Sequence, residues 1–335
     1  MEQTDKDPML RTRAVAGLRR YQEAPRPARP AAPRVHASAA TARLLHYGSD
    51  AARDTAPIIL IPSLINPPDV LDLSSKTSLM RWLSERGHDA FMVDWGNPAR
   101  DAGQIDLAHH VAQQLMPLLR SLGGRKPPIL IGYCLGGVLA AGAAACMPVS
   151  ALVTIATPWR FDGFPDAARQ DVVRLWKEAK PLCEKLGYVP MEVLQSGFWA
   201  LDPARTIAKY AEFGEMEEGS EAMAAFLALE DWANAGPPLT FAAGQELFER
   251  LYEQDMTGQG KWSIEGKPVR PQDLSVPTLA ICSSTDRIVP AASTPPLAEQ
   301  WTLDMGHVGM IVGRRAPQTL WHPLSEWLFK HGARC

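Results

Sequence analysis

The chain has 335 residues and a formal net charge of −3. A chain of such small net charge is not expected to have the strongly positive surface to which nucleic acids bind, so we expect no nucleic-acid partner. No run of about 18 apolar residues occurs, which predicts no transmembrane segment. The polar residues 1–7 are followed by no apolar stretch, so no signal peptide is predicted.

The cysteines are far apart in the sequence, and no pair has the C-x-x-C spacing of a zinc or redox site. They are Cys134, Cys146, Cys183, Cys282 and Cys335. This set predicts neither a disulfide framework nor a metal site, and it is typical of a reducing, cytoplasmic environment.

Residues 1–41 are predicted to be a flexible N-terminal arm rich in arginine and proline. A short basic helix is expected over residues 8–22, whereas the prolines between residues 24 and 36 exclude a helix or a central strand there. The arginines favour a solvated arm, with contact to an anionic surface as the alternative. Ordered structure is expected to begin near Ala42.

From residue 42 onward, short apolar runs typical of buried parallel strands alternate with helical patterns. The predicted strands cover residues 44–47, 57–62, 89–95, 128–131, 151–156, 276–282 and 300–303. The predicted helices cover residues 71–86, 104–122, 136–145 and 317–330. This alternation predicts an α/β fold with a mostly parallel, doubly wound sheet.

The alternation stops between residues 159 and 272, where helical patterns and most of the aromatic residues occur. A helical insertion in an α/β core is typical of a cap over an active site, because such sites lie on loops at strand ends. The alternative is that the segment simply extends the core. We predict a core made of residues 42–158 and 273–335, with a helical cap of residues 159–272.

The most specific motif is Gly132-Tyr-Cys134-Leu-Gly136-Gly137, between an apolar strand and an alanine-rich helix. It matches the nucleophile elbow of α/β hydrolases, with cysteine in place of serine. Side chains two residues before and after the nucleophile would clash in this turn, which explains Gly132 and Gly136. The helix N-terminus favours a thiolate and a developing oxyanion. The motif predicts an α/β-hydrolase fold with Cys134 as nucleophile, over the alternative of a buried, inert cysteine.

A thiol nucleophile needs a base and an acid that orients the base, and in this fold the chain order is nucleophile, acid, base. Asp286 follows the predicted strand at 276–282, and His307 follows the last strand. These positions predict Asp286 as the acid and His307 as the base. Asp304 is the competing acid, but three residues of chain give it poor geometry toward His307.

Other histidines have different positions in the sequence. His109 and His110 lie on a helix that precedes the nucleophile. His322 and His331 belong to the terminal helix region, and we expect both at the surface.

The oxyanion of a tetrahedral intermediate is expected to bind two backbone N–H donors. One comes from the residue after the nucleophile, which is Leu135, and the other from the loop after the strand at residues 57–62. Ile65 is the predicted donor in that loop. The neighbouring Asn66 either shapes this site or merely forms a turn with Pro67.

Several separate stretches resemble polyhydroxyalkanoate (PHA) synthases. They are Pro62-Ser-Leu-Ile-Asn-Pro-Pro-Asp-Val-Leu-Asp-Leu73, Val93-Asp-Trp-Gly-Asn-Pro98, the elbow itself, Thr154-Ile-Ala-Thr-Pro-Trp-Arg-Phe-Asp162, Asp286-Arg-Ile-Val-Pro290 and Gly306-His-Val-Gly309. Together they extend from about residue 57 to the C-terminus. An ordinary esterase would have serine at position 134 and would lack the Asp-Trp-Gly turn.

The resemblance implies an acyltransferase that polymerises (R)-3-hydroxyacyl-CoA to polyhydroxyalkanoate. Cys134 would hold the acyl group as a thioester, and His307 would activate the thiol. Asp286 would help to deprotonate the 3-hydroxyl of the next unit, either directly or through His307. The CoA thioester is then the substrate, and no cofactor is bound tightly. The resemblance also implies a cytoplasmic location at PHA granules. In length the chain is nearest to the short synthases that act with a second, non-catalytic subunit, so a partner subunit or a homo-oligomer is expected.

The chain also departs from the resemblance. Pro67 stands where the family often has a basic residue, and the segment between Asp286 and His307 is short. A hydrolase on the same scaffold is therefore the alternative: a thioesterase, an esterase or an intracellular PHA depolymerase with a Cys-Asp-His triad. A third hypothesis, a granule- or membrane-surface binding protein with an idle site, is disfavoured by the intact set of Cys134, Asp286 and His307.

Overall fold

The computed structural model of the chain describes residues 7–48, 55–99 and 101–332. Cys335 lies outside these residues, and the other cysteines are free thiols. The strands of the described residues are β1 (Arg34–Ala39), β2 (Ala42–His46), β3 (Ile58–Ile61), β4 (Ala90–Asp94), β5 (Ile129–Tyr133), β6 (Ala151–Ile155), β7 (Tyr188–Val189), β8 (Leu239–Thr240), β9 (Ser263–Ile264), β10 (Lys267–Pro268), β11 (Thr278–Ser283) and β12 (Glu299–Leu303).

The central sheet has eight strands in the order β1-β2-β4-β3-β5-β6-β11-β12. All neighbours from β4 to β12 are parallel, whereas β1 and β2 add an antiparallel edge. The chain places β4 on one side of β3 and β5 on the other, so the strand order reverses at β3. In open α/β sheets, ligands bind outside the carboxyl ends of the strands at such a reversal. Cys134 directly follows β5 and therefore lies at this point.

The helices alternate with these strands along the core and dominate the segment between β6 and β11. They are α1 (Pro8–Glu23), α2 (Leu79–Glu85), α3 (Leu107–His109), α4 (Met116–Arg120), α5 (Leu135–Cys146), α6 (Asp166–Leu186), α7 (Met191–Leu201), α8 (Pro203–Phe213), α9 (Glu221–Asn234), α10 (Phe241–Gln245), α11 (Gly309–Val312) and α12 (His322–Gly332). π-Helical turns at His110–Leu115, Glu246–Glu253 and Pro317–Trp321 extend α3, α10 and the start of α12.

Helices cover both faces of the sheet. Successive residues of a strand point to opposite faces, so each strand packs against helices on both sides. Ile59 and Ile61 pack in the apolar cluster that contains α5. Ile58 and Leu60 pack in the cluster that contains α2 and α12. Burial on both faces explains why β3 is apolar at every position rather than alternating.

The N-terminal segment differs from its prediction. α1 packs on α8, where Arg20 donates hydrogen bonds to the carbonyl oxygens of Phe213 and Gly214 at 3.3 and 2.9 Å. β1 pairs with β2 along the sheet edge. The predicted helix over residues 8–22 is confirmed as α1. The expectation that ordered structure begins near Ala42 is wrong, because β1 and the packed α1 both precede that residue. The prolines occupy only the connection between these two elements, so they leave both free to form.

Two further differences have local causes. The predicted helix over 71–86 is shorter, because the Ser78 side chain accepts a hydrogen bond from Arg81 N and begins α2 there. His331 is buried beside Trp327 rather than at the surface, with ring centroids 4.3 Å apart. His322 is exposed, as expected. Among the described helices, none is both long enough and apolar enough to pass through a lipid bilayer.

Gly17→Ala tests the packing of α1. Alanine is the better helix former by about 1 kcal/mol, but a Cβ at Gly17 would lie 1.8 Å from the Tyr210 carbonyl oxygen. We expect this overlap to dominate and to destabilise the contact with α8 by about 1–3 kcal/mol. Limited trypsin digestion at Arg19 and Arg20 should accelerate, with exposed Ala16→Ser as the control. Unchanged or slower cleavage would show that α1 does not depend on this contact.

Candidate active site

The backbone of Cys134 has an unusual conformation, with φ 55° and ψ −130°. A non-glycine residue with positive φ is strained and persists only where its surroundings hold it. Cys134 N–H donates to the Ile155 carbonyl at 2.9 Å, and the Cys134 carbonyl accepts from Gly137 N–H at 2.9 Å. The thiol is thereby raised between the end of β5 and the first turn of α5, in the geometry of a nucleophile elbow.

Three glycines around Cys134 have no room for a Cβ atom. At Gly132 it would lie 2.2 Å from the Gly137 Cα atom, and at Gly136 it would lie 2.0 Å from the Ile61 carbonyl oxygen. At Gly137 it would lie 1.9 Å from the Thr157 hydroxyl oxygen. The first two contacts agree with the sequence argument, and the third explains the second glycine of the Gly-Gly pair. The elbow therefore fits only because β3 and the end of β6 approach its backbone directly.

The structure brings His307 and Asp286 together. His307 Nδ1–H donates to Asp286 Oδ2 at 2.7 Å. The other carboxylate oxygen accepts from the backbone N–H groups of Ile288 and Val289 at 2.8 and 2.9 Å. Both side chains of the pair are buried. Asp304, the competing acid, is exposed to solvent instead.

The side chain of Cys134 also lies close enough to the imidazole of His307 to interact with it electrostatically. Burial by itself lowers the pKa of His307. The Cys134 thiolate and the Asp286 carboxylate outweigh it and raise the pKa to about 10. Negative charge on Cys134 and Asp286 favours the protonated form of the His307 ring.

Two residues that sequence reasoning missed hold the base in place. The Tyr133 hydroxyl donates to the His307 carbonyl oxygen at 3.4 Å, and the two rings lie 5.3 Å apart. The Ser283 hydroxyl donates to the Met305 carbonyl oxygen. Tyr133 is the variable residue within the elbow motif, so the pattern gave no signal for its role. Both contacts join strand ends that lie far apart in the sequence.

The predicted oxyanion donors belong to two different elements of the fold. Leu135 begins α5, where the first N–H groups of a helix have no partner within the helix. Ile65 lies in the loop after β3, and its N–H donates to the Ser63 hydroxyl oxygen at 3.1 Å. An oxyanion that binds Ile65 must therefore replace the Ser63 oxygen as acceptor.

The helical segment between β6 and β11 also reaches the thiol. Tyr252, from the π-helical turn at Glu246–Glu253, lies close enough that burial and the Cys134 thiolate both raise its pKa. Its ring packs against Phe161 and Phe164, with centroid distances of 4.7 and 5.3 Å. Sequence analysis expected aromatic residues in this segment but could not select Tyr252. Among the described residues, no group of three His, Cys, Asp or Glu side chains is arranged to hold a metal ion.

The family follows from this fold and from the sequence. The sequence model described as the alpha/beta hydrolase family matches residues 58–318. The chain belongs to the alpha/beta hydrolase family. Among solved structures, a putative aryl esterase from Burkholderia cenocepacia has a TM-score of 0.53 at 14% identity, over 89% of this chain and 99% of that chain. At this identity the likeness shows the fold alone, and the predicted α/β-hydrolase fold is confirmed.

Comparison with individual curated proteins shows which members of that family the chain resembles. The poly(3-hydroxyalkanoate) polymerase subunit PhaC of Haloferax mediterranei is 28% identical over 300 residues. The match covers 85% of this chain but only 61% of that protein. The subunit of the same name from Allochromatium vinosum is 24% identical, over 81% of this chain and 80% of that protein. The resemblance to PHA synthases is confirmed, although the chain spans less than two thirds of the Haloferax protein.

The raised pKa of His307 predicts its titration. The imidazolium should persist at neutral pH and lose its proton only as the pH rises through about 10, rather than near 6.5. Cys134→Ala removes the thiolate that favours the protonated ring, so the pKa of His307 should fall. NMR of ¹⁵N-histidine-labelled protein measures the pKa of His307 in the wild type and in Cys134→Ala. The His307→Gln variant, which lacks this ring, identifies its signal. Titration of wild-type His307 near pH 6.5 would contradict the stabilisation of its protonated ring by Cys134 and Asp286.

Alkylation of Cys134 by iodoacetamide distinguishes the two candidate acids. Asp286→Asn should slow it on the order of tenfold or more, because the ring loses the carboxylate that fixes its tautomer and favours its charge. Asp304→Asn is the matched control and should leave the rate unchanged, since that side chain is exposed. The reverse ranking of the two variants would assign the acid to Asp304.

Proposed function

We propose that this protein is an acyltransferase that uses the Cys134 thiol on (R)-3-hydroxyacyl-CoA and polymerises the acyl units to polyhydroxyalkanoate. One observation carries the proposal. A cysteine, rather than a serine, occupies the elbow, and it interacts electrostatically with a histidine that hydrogen-bonds a buried aspartate. Both relatives described above are named as poly(3-hydroxyalkanoate) polymerase subunits, which supports the same substrate class.

A thiol suits transfer better than hydrolysis for a chemical reason. When the Cys134 thiolate attacks the thioester carbonyl, a new C–S bond forms and the C–S bond to CoA breaks. His307 gives its proton to the departing CoA thiolate. One thioester replaces another, so the acyl enzyme keeps its reactivity toward a second nucleophile.

The second step uses the same residues in reverse. Neutral His307, still oriented by Asp286, accepts the proton of the 3-hydroxyl of another unit as that oxygen attacks the acyl enzyme. An ester bond forms, the C–S bond to Cys134 breaks, and the thiolate is restored. Leu135 N–H and Ile65 N–H are the proposed donors to the oxyanion in both steps.

Water must be kept from the acyl enzyme, since it would release free hydroxy acid. Tyr252, which interacts electrostatically with Cys134 and packs against Phe161 and Phe164, supports such exclusion. The same proposal includes a cytoplasmic location at the surface of PHA granules. It also includes either a homo-oligomer or a non-catalytic partner subunit, as the resemblance implies.

Product analysis with 3-hydroxybutyryl-CoA tests the proposal. We expect release of CoA together with an insoluble product that dissolves in chloroform. Release of CoA with only free hydroxy acid would overturn polymerisation and favour the thioesterase or depolymerase alternative. If no acyl-CoA releases CoA, the result would favour the hypothesis of a granule- or membrane-surface binding protein with an idle site.

Two cysteine variants test the nucleophile. Cys134→Ala should reduce CoA release by at least about 10³-fold and abolish the acyl adduct in intact-mass spectra, because the thioester cannot form. Cys146→Ala is the matched control, since Cys146 is the last residue of the helix that Cys134 precedes. Retained release and adduct in Cys134→Ala would place the nucleophile elsewhere.

A further inference from the structure

The loop of residues 62–67, which carries the proposed donor Ile65, is bound by the C-terminal end of α9. Asn66 Nδ2 lies 3.4, 3.4 and 3.2 Å from the carbonyl oxygens of Trp232, Ala233 and Ala235. The last carbonyl groups of a helix have no partner within the helix. The Asn66 side chain therefore caps a helix of the insertion from a loop of the core.

A second contact runs in the opposite direction. Trp232 Nε1–H donates to the Pro67 carbonyl oxygen at 2.8 Å. The segment that follows α9 also touches the loop, since a Cβ at Gly236 would lie 2.7 Å from the Ile65 carbonyl oxygen. α9 and the residues after it thus contact the loop at three successive positions, Ile65 to Pro67.

The other side of the loop rests on the elbow. A Cβ at Gly136 would lie 2.5 Å from the Pro62 carbonyl oxygen. The loop of residues 62–67 therefore lies between the first turn of α5 and the end of α9. Its N–H currently donates to Ser63, so a small change in the loop decides whether that donor faces Ser63 or an oxyanion.

We propose that Asn66 is a positioning residue that couples α9 to the oxyanion donor of the loop. By binding the carbonyl groups at the end of α9, Asn66 holds the Ile65 N–H where an oxyanion on the acyl group can replace the Ser63 oxygen. Displacement of α9 removes this support, so the donor pair is complete only while the insertion covers the site. The inference rests on the proposed acyl transfer to Cys134, but it concerns only the formation of the acyl enzyme.

Two reactions of the same thiol separate this role from general damage. p-Nitrophenyl acetate acylates Cys134 through a tetrahedral oxyanion: a C–S bond forms and the C–O bond to p-nitrophenolate breaks. Iodoacetamide alkylates the same thiol by displacement of iodide, without an oxyanion. Loss of an oxyanion donor should therefore slow acylation and leave alkylation unchanged.

The test uses the full chain with Asn66→Ala and Asn66→Asp. The aspartate keeps the size of the side chain but replaces the N–H donor with an oxygen that faces three carbonyl oxygens. We expect both variants to slow acylation by about 10- to 100-fold, with alkylation and the pH at which His307 loses its proton unchanged. Trp232→Phe should produce a smaller loss, which should not add in full to that of Asn66→Ala because both act on one loop.

Asn234→Ala is the matched control. Its amide donates to the Glu230 carbonyl oxygen at 2.9 Å near the same end of α9, and no hydrogen bond from it to the loop is present among the described residues. Its acylation rate should equal that of the wild type. An unchanged acylation rate in Asn66→Ala, or equal losses in acylation and alkylation, would overturn the inference. Absence of polymer from 3-hydroxybutyryl-CoA would overturn only the proposed function, because p-nitrophenyl acetate tests acylation independently.

Discussion

The strained backbone at Cys134 is the constraint on which the site depends. A positive φ at a cysteine persists only because neighbouring segments leave it no alternative. β3 and the end of β6 approach the turn so closely that Gly136 and Gly137 have no room for a Cβ atom. The parallel sheet therefore determines the direction of the thiol, and every other contact of the site is arranged around that direction.

Electrostatic interactions connect the strand ends beyond this turn. Cys134 and Asp286 both raise the pKa of His307, in a region where burial alone would favour a neutral ring. The carboxylate is in turn bound by two backbone N–H groups of its own loop. Because the ends of β5, β11 and β12 each supply one member, the arrangement exists only when the parallel sheet is in register.

The insertion contacts the candidate site directly. Its α9 binds the loop that carries Ile65, and Tyr252 of its π-helical turn interacts electrostatically with Cys134. The same turn contains Glu246, whose buried carboxylate accepts from Leu107 N–H at the start of α3. Burial raises the pKa of Glu246. The insertion is thus joined to the core at two separate places, the loop of residues 62–67 and the start of α3, which is the physical basis for the proposed coupling.

The sequence by itself determined the elements whose signals are local. The glycines around Cys134, the apolar strands, and the positions of Asp286 and His307 after later strands could all be identified without coordinates, because each follows from a turn or a strand end. The exclusion of Asp304 also followed from its distance along the chain. Only the tertiary structure decided the roles of Tyr133, Tyr252 and Asn66, the packing of α1 on α8 and the burial of His331. Each of these depends on a partner far away in the sequence, and no periodicity or motif records which distant surface a side chain will meet.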